Sequence, residues 1–282
     1  MHLIEPAEVA ARFAAAETRT VVFDCRHDLS RPDWGRHEFA AAHIPGALFA
    51  HLDHDLSGPV TPQSGRHPLP QRAAFAAFLG AAGVDADTDV VAYDQDRSPY
   101  AARLWWLLRW LGHERVAVLN GGLAAWRSAG LPLQSPPSLP VARTFSVRPA
   151  LAREATTADV QRELEGGRIL LLDARGADRF AGQNESIDPV AGHVPGARNQ
   201  PFTLNLDASG RLQAAAALAA LWHRALGDTP PTQVVAMCGS GVTACHNLLA
   251  MEVAGLPGAR LYAGSFSEWI RDPARKVATG PV

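Results

Sequence analysis

Apolar residues recur along the chain in two alternating rhythms. Residues 5–16 carry them at helical spacing behind Pro6, which suits a first helical turn, and Thr20-Val21-Val22-Phe23-Asp24 is then a short continuous run that predicts a buried strand. A polar stretch follows, ending in the turn signal Ala42-His43-Ile44-Pro45-Gly46-Ala47 before Leu48-Phe49. The spacing predicts a second helix over 71–80, a strand at Asp89–Tyr93 and a strongly apolar helix over 100–111 with Trp105, Trp106 and Trp110. Val116–Leu119 reads as a strand closed by Asn120-Gly121-Gly122, and 123–128 as a short helix holding Trp126. Strands alternating with helices predict parallel β-α-β units.

The character changes over 131–157, where Pro132, Pro136, Pro137, Pro140 and Pro149 stand among Ser and Arg, the composition of a linker. Beyond it the first half returns. Ile169-Leu170-Leu171-Leu172-Asp173-Ala174-Arg175 repeats the strand that ends in Asp24-Cys25-Arg26, and Gly192-His193-Val194-Pro195-Gly196-Ala197 repeats the turn. Val234 to Met237 matches Val90 to Tyr93, and Tyr262-Ala263-Gly264 with Trp269 matches Asn120-Gly121-Gly122 with Trp126. Four landmarks in one order at a nearly constant displacement imply two copies of one domain.

The copies differ where chemistry is expected. In the second, Val234 to Met237 runs into Cys238-Gly239-Ser240-Gly241-Val242-Thr243, and 244–254 carries helix formers. A cysteine there stands at the mouth of a helix, where the N–H groups of a Gly-rich turn and the positive end of the helix dipole favour negative charge. Such surroundings lower a thiol pKa from about 8.5 towards neutrality and produce a nucleophilic thiolate. The first copy has Asp94 at the matching place, followed by Gln95-Asp96-Arg97-Ser98-Pro99, without the glycines that let backbone approach an anion. A carboxylate cannot act as a sulfur nucleophile. One copy is therefore expected to react, and the other to serve as scaffold and as one wall of the site.

Composition narrows the partners. At 282 residues the chain suits two domains, and a formal net charge of −2 with no long basic run argues against nucleic acid or an anionic membrane surface. A small anionic substrate needs only local positive charge and stays compatible. Three cysteines without a C-x-x-C pair are too few for a disulfide framework and fit a reducing cytoplasm. The first twelve residues lack a signal-peptide pattern, and no run of about 20 apolar residues occurs. The expectation is a cytoplasmic protein with no membrane span, no metal and no cofactor.

Taken together, the Asp-x-Arg strand ends, the His-Val-Pro-Gly-Ala turn, the Cys238 loop and the closing Gly264-Ser265-Phe266-Ser267-Glu268-Trp269 resemble the tandem-domain rhodanese-like sulfurtransferases over nearly the whole chain. The resemblance implies an α/β fold of two tandem rhodanese-like domains, each a mostly parallel sheet flanked by helices. The expected division is a degenerate domain over 1–135, a linker over 136–153 and a catalytic domain over 154–282. The Cys-Gly-Ser-Gly-Val-Thr loop looks like that of the 3-mercaptopyruvate branch, since thiosulfate-using members usually carry an arginine beside the cysteine.

The resemblance further implies that Cys238 takes sulfur from a small anionic donor such as 3-mercaptopyruvate. The resulting persulfide would be handed to cyanide, a thiol or a thioredoxin-like protein. Ser240, His67 and Asp53 match a proposed relay that polarises the donor, which would place the site between the domains. Gly239, Gly241, Val242 and Thr243 form the loop around the donor, and Arg179 matches the arginine that grips its carboxylate. Replacing Arg179 by Ala is expected to raise KM with little effect on stability. The animal-type pattern has a second arginine downstream, but Ser186-Ile187-Asp188-Pro189 supplies none before His193. Thiosulfate therefore stands as the alternative donor.

Two other classes are weighed. A cysteine phosphatase needs an arginine six residues after the nucleophile, where this chain has Ala244. A non-catalytic binding module of this kind typically loses the cysteine, which is kept here. Asp24, Arg26, Asp173, Arg175, His43 and His193 recur in both copies and read as structural. So do Cys25, Cys245 and the tryptophans.

Overall fold

The computed structural model describes residues 2–15 and 19–280. They form two compact units, each an α/β layer structure around an all-parallel five-stranded sheet.

Unit 1 runs β1 (Leu3–Ile4), α1 (Pro6–Ala15), β2 (Thr20–Asp24), α2 (Trp34–Ala41), β3 (Leu48–Phe49), α3 (Arg72–Ala81), β4 (Asp89–Tyr93), α4 (Pro99–Trp110), β5 (Val116–Leu119) and α5 (Gly122–Ser128). Its strands lie in the order β1-β5-β4-β2-β3. The continuous apolar runs of β2 and β4 pair over five residues in the middle, as expected of strands covered on both faces. Ile4, Val9, Val22, Ile44, Val91, Leu119 and Trp126 pack on one side of that sheet.

Unit 2 repeats the order: β6 (Arg153–Glu154), α6 (Thr157–Glu165), β7 (Leu170–Asp173), α7 (Ala177–Phe180), β8 (Arg198–Asn199), α8 (Ala215–Leu226), β9 (Val234–Met237), α9 (Thr243–Val253), β10 (Arg260–Leu261) and α10 (Ser265–Trp269). Its sheet order, β6-β10-β9-β7-β8, is that of unit 1 strand for strand. The expected repeat is thus present in the topology. Matching side chains do matching work: Trp126 donates from Nε1 to Pro132 O at 2.8 Å, and Trp269 to Lys276 O at 2.9 Å.

The strand ends are fixed by the paired residues singled out in the sequence. Arg26 holds Asp24 and the Ala42 carbonyl, and Arg175 holds Asp173 and the Gly192 carbonyl, all with buried side chains. His43 bonds Phe39 O and stacks on Phe39, while His193 does the same with Phe180. Every one of these partners is structural in both copies.

The sequence pattern located the long strands and the helices α1, α3, α4, α5 and α9 to within a residue or two, although Ala16, the expected end of the first helix, lies outside the described residues. It passed over the two-residue strands, over α2, which sits in the stretch read as merely polar, and over α6, α7 and α8. The Pro-rich stretch after α5 is also no free linker. Gln134 exchanges backbone bonds with His43, Arg143 N donates to Gly80 O at 2.8 Å, and Arg148 N to Leu111 O at 2.9 Å. A Cβ on Gly80 would stand 2.7 Å from Arg143 O, so the glycine is what lets this strap lie down on unit 1.

Unit 1 extends to Leu151 and unit 2 begins at Ala152, but each also takes a segment from the other half of the sequence. Ala208–Leu212 belongs to unit 1, where Arg211 pairs with Glu5 and Leu212 N donates to Asn120 Oδ1. Pro59–Leu69 belongs to unit 2.

Candidate active site

Cys238 is the first residue beyond β9, with 2 % of its surface exposed. The strand delivers the thiol, and the turn Gly239 to Val242 brings the chain round into α9. Gly241 makes that turn possible twice over: it has φ +78°, and a Cβ would stand 2.4 Å from Ala263 O. Its N–H then points back at Cys238 Sγ, 3.1 Å away. Val242 caps α9 and Thr243 is its first residue. Cys245, the third residue of α9, donates from Sγ to Gly241 O at 3.2 Å and is a buried thiol outside any disulfide, as is Cys25.

A second turn clamps the loop. Ser265 holds the left-handed φ of +54°, unusual for a non-glycine residue, and its Oγ accepts from Cys238 N at 3.0 Å while donating to Tyr262 O at 2.8 Å. Phe266 N donates to Cys238 O, and Ser267 N to Gly239 O at 2.9 Å. The sequence pattern did not single out Ser265 or Ser267 as site residues, although both stand in the quoted closing motif.

His67 comes from the first half of the sequence but belongs to unit 2, together with Cys238, Ser240 and Arg179. Its Nδ1 lies 2.7 Å from Ser240 Oγ, and both residues are buried. The approach depends on Gly65, whose Cβ would stand 2.5 Å from Gly264 O. Arg66 N donates to Ser267 Oγ at 3.1 Å, which fixes the segment against the clamp. Asp53 belongs to unit 1, where its N–H donates to His51 Nδ1 at 3.1 Å.

Arg179, on α7, reaches the same loop. Its Nη2 bonds Glu185 Oε1 at 2.9 Å and Asp188 Oδ2 at 3.0 Å, with both carboxylates almost wholly buried. Asp188 also takes Nη1 of Arg66. The two guanidiniums converge over Gly239: a Cβ there would stand 2.8 Å from Arg66 Nη2 and 3.8 Å from each terminal nitrogen of Arg179. Burial lowers the pKa of Arg66, while the charge of Cys238 works the other way. The loop is neutral in sequence but faces two cations in space. The family pattern places a second arginine downstream of Arg179, whereas the second guanidinium here comes from Arg66, in the first half of the chain. The signal available was its place directly before His67.

Asp94 changes the reading of the first copy. Its buried carboxylate accepts from Ser98 N at 2.9 Å, Tyr100 N at 2.9 Å and Ala101 N at 3.2 Å. The loop was expected to lack an anion cradle because it lacks glycines. It has one, filled by its own carboxylate, since Ser98 supplies the left-handed turn at φ +66°. Burial nevertheless dominates the three bonds and pushes the Asp94 pKa up to about 7.

One group among the described residues has the make-up of a metal site: His27, His51 and Asp53, with one potential ligand atom each inside 4.8 Å. The Asp53 N–H bond occupies His51 Nδ1, while His51 Nε2 is buried without a hydrogen-bond partner among the described residues. Among the described residues, no helix is long and apolar enough to cross a membrane.

A model of the rhodanese-like domain matches residues 5–129 and again 156–272. The chain is 47 % identical over 280 residues to a Pseudomonas aeruginosa protein named "Probable 3-mercaptopyruvate sulfurtransferase", covering 99 % of this chain and 98 % of that one. It is 36 % identical over 238 residues to the thiosulfate sulfurtransferase of Gallus gallus, covering 83 % and 80 %. Among solved structures it resembles the 3-mercaptopyruvate sulfurtransferase from Leishmania major, with a TM-score of 0.83, 33 % identity and coverage of 95 % and 74 %.

Proposed function

The chain belongs to the rhodanese-like domain family, and on that footing we propose that it is a sulfurtransferase with Cys238 as nucleophile and 3-mercaptopyruvate as donor. The observation that carries the reading is the Gly241 N–H aimed at Cys238 Sγ at 3.1 Å beneath two converging guanidiniums. A fixed dipole on the sulfur favours the thiolate, and the cations above it favour an anionic donor.

In the proposed reaction the Cys238 thiolate attacks the donor sulfur and the sulfur–carbon bond breaks. The electron pair leaves as the enolate of pyruvate, which takes up the proton of the donor thiol, and Cys238 keeps the sulfur as a persulfide anion. Arg179 grips the donor carboxylate, for which a planar fork is suited. With its proton on Nδ1, His67 donates to Ser240 Oγ and turns the Ser240 hydrogen towards the donor carbonyl, where negative charge develops. The loop amides of Gly239, Gly241, Val242 and Thr243 stabilise the persulfide anion until a thiol, such as a thioredoxin-like protein, or cyanide removes the outer sulfur. A cytoplasmic setting is inferred from a chain with three cysteines and no C-x-x-C pair.

A second reading takes thiosulfate as donor, with the sulfur–sulfur bond breaking and sulfite leaving. The observation in its favour is Arg66, a second cation over a loop that has none of its own. Comparing kcat/KM for pyruvate release from 3-mercaptopyruvate with that for sulfite release from thiosulfate separates the two. The expected order is 3-mercaptopyruvate first. A reversed order would replace it by the second reading, and no turnover of either donor would remove both.

A further inference from the structure

Arg179 was expected to be the main hold on the donor. The geometry in unit 2 is richer. Arg66 and Arg179 approach Gly239 from two segments far apart in sequence, and both bond the same carboxylate, Asp188, one on each oxygen. Arg66 spends only Nη1 on that bond, and its Nη2 faces Gly239, the residue after the candidate nucleophile. A Cβ at Gly239 would stand 2.8 Å from that nitrogen, so a side chain there would have to displace the end of Arg66. Asp188 is held in turn: its N–H donates to Glu185 Oε1 at 3.0 Å, and the Asp188 side chain is 1 % exposed.

Two guanidiniums against Glu185 and Asp188 leave the cluster without net charge, so an incoming anion is attracted by donors it can reach and repelled by the carboxylate behind them. We infer that Arg66 is a second donor-binding residue, and that Asp188, the counter-ion it shares with Arg179, biases the site towards a singly charged carboxylate donor and against a dianion. The inference rests on the sulfurtransferase reading and adds to it the residues that set donor charge. A monoanion replaces part of what each guanidinium gives to Asp188, whereas a dianion brings a second charge next to that carboxylate and the Cys238 thiolate.

The test uses the full chain with Arg66→Gln, Arg66→Lys and Asp188→Asn, steady-state kinetics with 3-mercaptopyruvate and thiosulfate, and intact mass for the Cys238 adduct. Arg66→Gln is expected to raise KM for 3-mercaptopyruvate about tenfold, the loss of one charge-assisted bond, with kcat changed less than about threefold. Arg66→Lys should recover part of that loss, because the charge returns without the fork. Asp188→Asn is expected to raise the ratio of kcat/KM for thiosulfate to that for 3-mercaptopyruvate about tenfold. An unchanged KM in Arg66→Gln, or an unchanged ratio in Asp188→Asn, overturns the inference while wild-type turnover leaves the sulfurtransferase reading standing. If Arg66→Gln unfolds, as circular dichroism would show, Arg66→Lys decides: a KM equal to wild type overturns the donor-binding role, and a raised KM supports it. Wild type that takes sulfur from neither donor is the separate failure of the proposed function.

Discussion

At the scale of single residues, the site is a small set of approaches that only certain side chains permit. Gly241 gives its N–H to the thiol because it alone fits both the left-handed φ and the space under Ala263 O. Arg179 illustrates how structure revises a residue-level expectation. Its replacement by Ala should still raise the donor KM by about tenfold or more, since a bidentate charge contact is lost. Stability should fall as well, by about 2–4 kcal/mol, because Glu185 and Asp188 stay buried with less compensation. Urea unfolding alongside kinetics reads both effects, and an unchanged KM would place the anchor elsewhere.

Asp94 makes a second residue-scale prediction. With its pKa pushed up to about 7 from 3.8, the folded state binds the proton more tightly than the unfolded one. Its contribution to stability is therefore complete below about pH 4 and is lost as pH rises through about 7, for up to about 4 kcal/mol. Urea midpoints for wild type and Asp94→Asn between pH 4 and 8 should converge with rising pH, the variant losing this slope. Asn is nonetheless less stable at low pH, because its NH2 faces a backbone N–H that the carboxyl oxygen accepted. Parallel pH profiles for the two proteins would show that Asp94 titrates normally.

At the scale of elements, the strands were legible because buried parallel strands are continuous apolar runs, and β2, β4, β5 and β9 have that form. The strands β1, β3, β6, β8 and β10 have two residues each and leave no periodicity to find. The Asp-x-Arg and turn motifs were correctly read as structural from their presence in both copies. The strap after α5 was misjudged because Pro-rich composition reports the absence of helix and strand, not the absence of backbone bonds. Its tip still exposes Leu139 at 94 % and Val141 at 77 %. Limited proteolysis should cut first near Ser138 to Val141, and slowly, with residues 143–151 protected by their bonds to Gly80, Leu111 and Arg109. First cuts within 143–151 would contradict that picture.

At the scale of the whole molecule, the tandem repeat was legible because landmarks recur in order, and the two sheets have the same topology strand for strand. The exchange of Pro59–Leu69 and Ala208–Leu212 between the units was not, since nothing in a loop's own composition says which sheet it will join. That exchange brings Arg66 and His67 to the Cys238 loop; His67 was legible through the resemblance, whereas Arg66 beside it, and Ser265 and Ser267 in the clamp, were not. The candidate reacting centre is proposed from Cys238 against Asp94 at the matching place in the two copies. Mass spectrometry of the intact chain after incubation with 3-mercaptopyruvate tests that claim most directly. The account predicts one added sulfur atom that a thiol removes and that Cys238→Ser abolishes, with Cys25 and Cys245 unmodified. A sulfur adduct that persists in Cys238→Ser, or no adduct on the folded wild type, would contradict it.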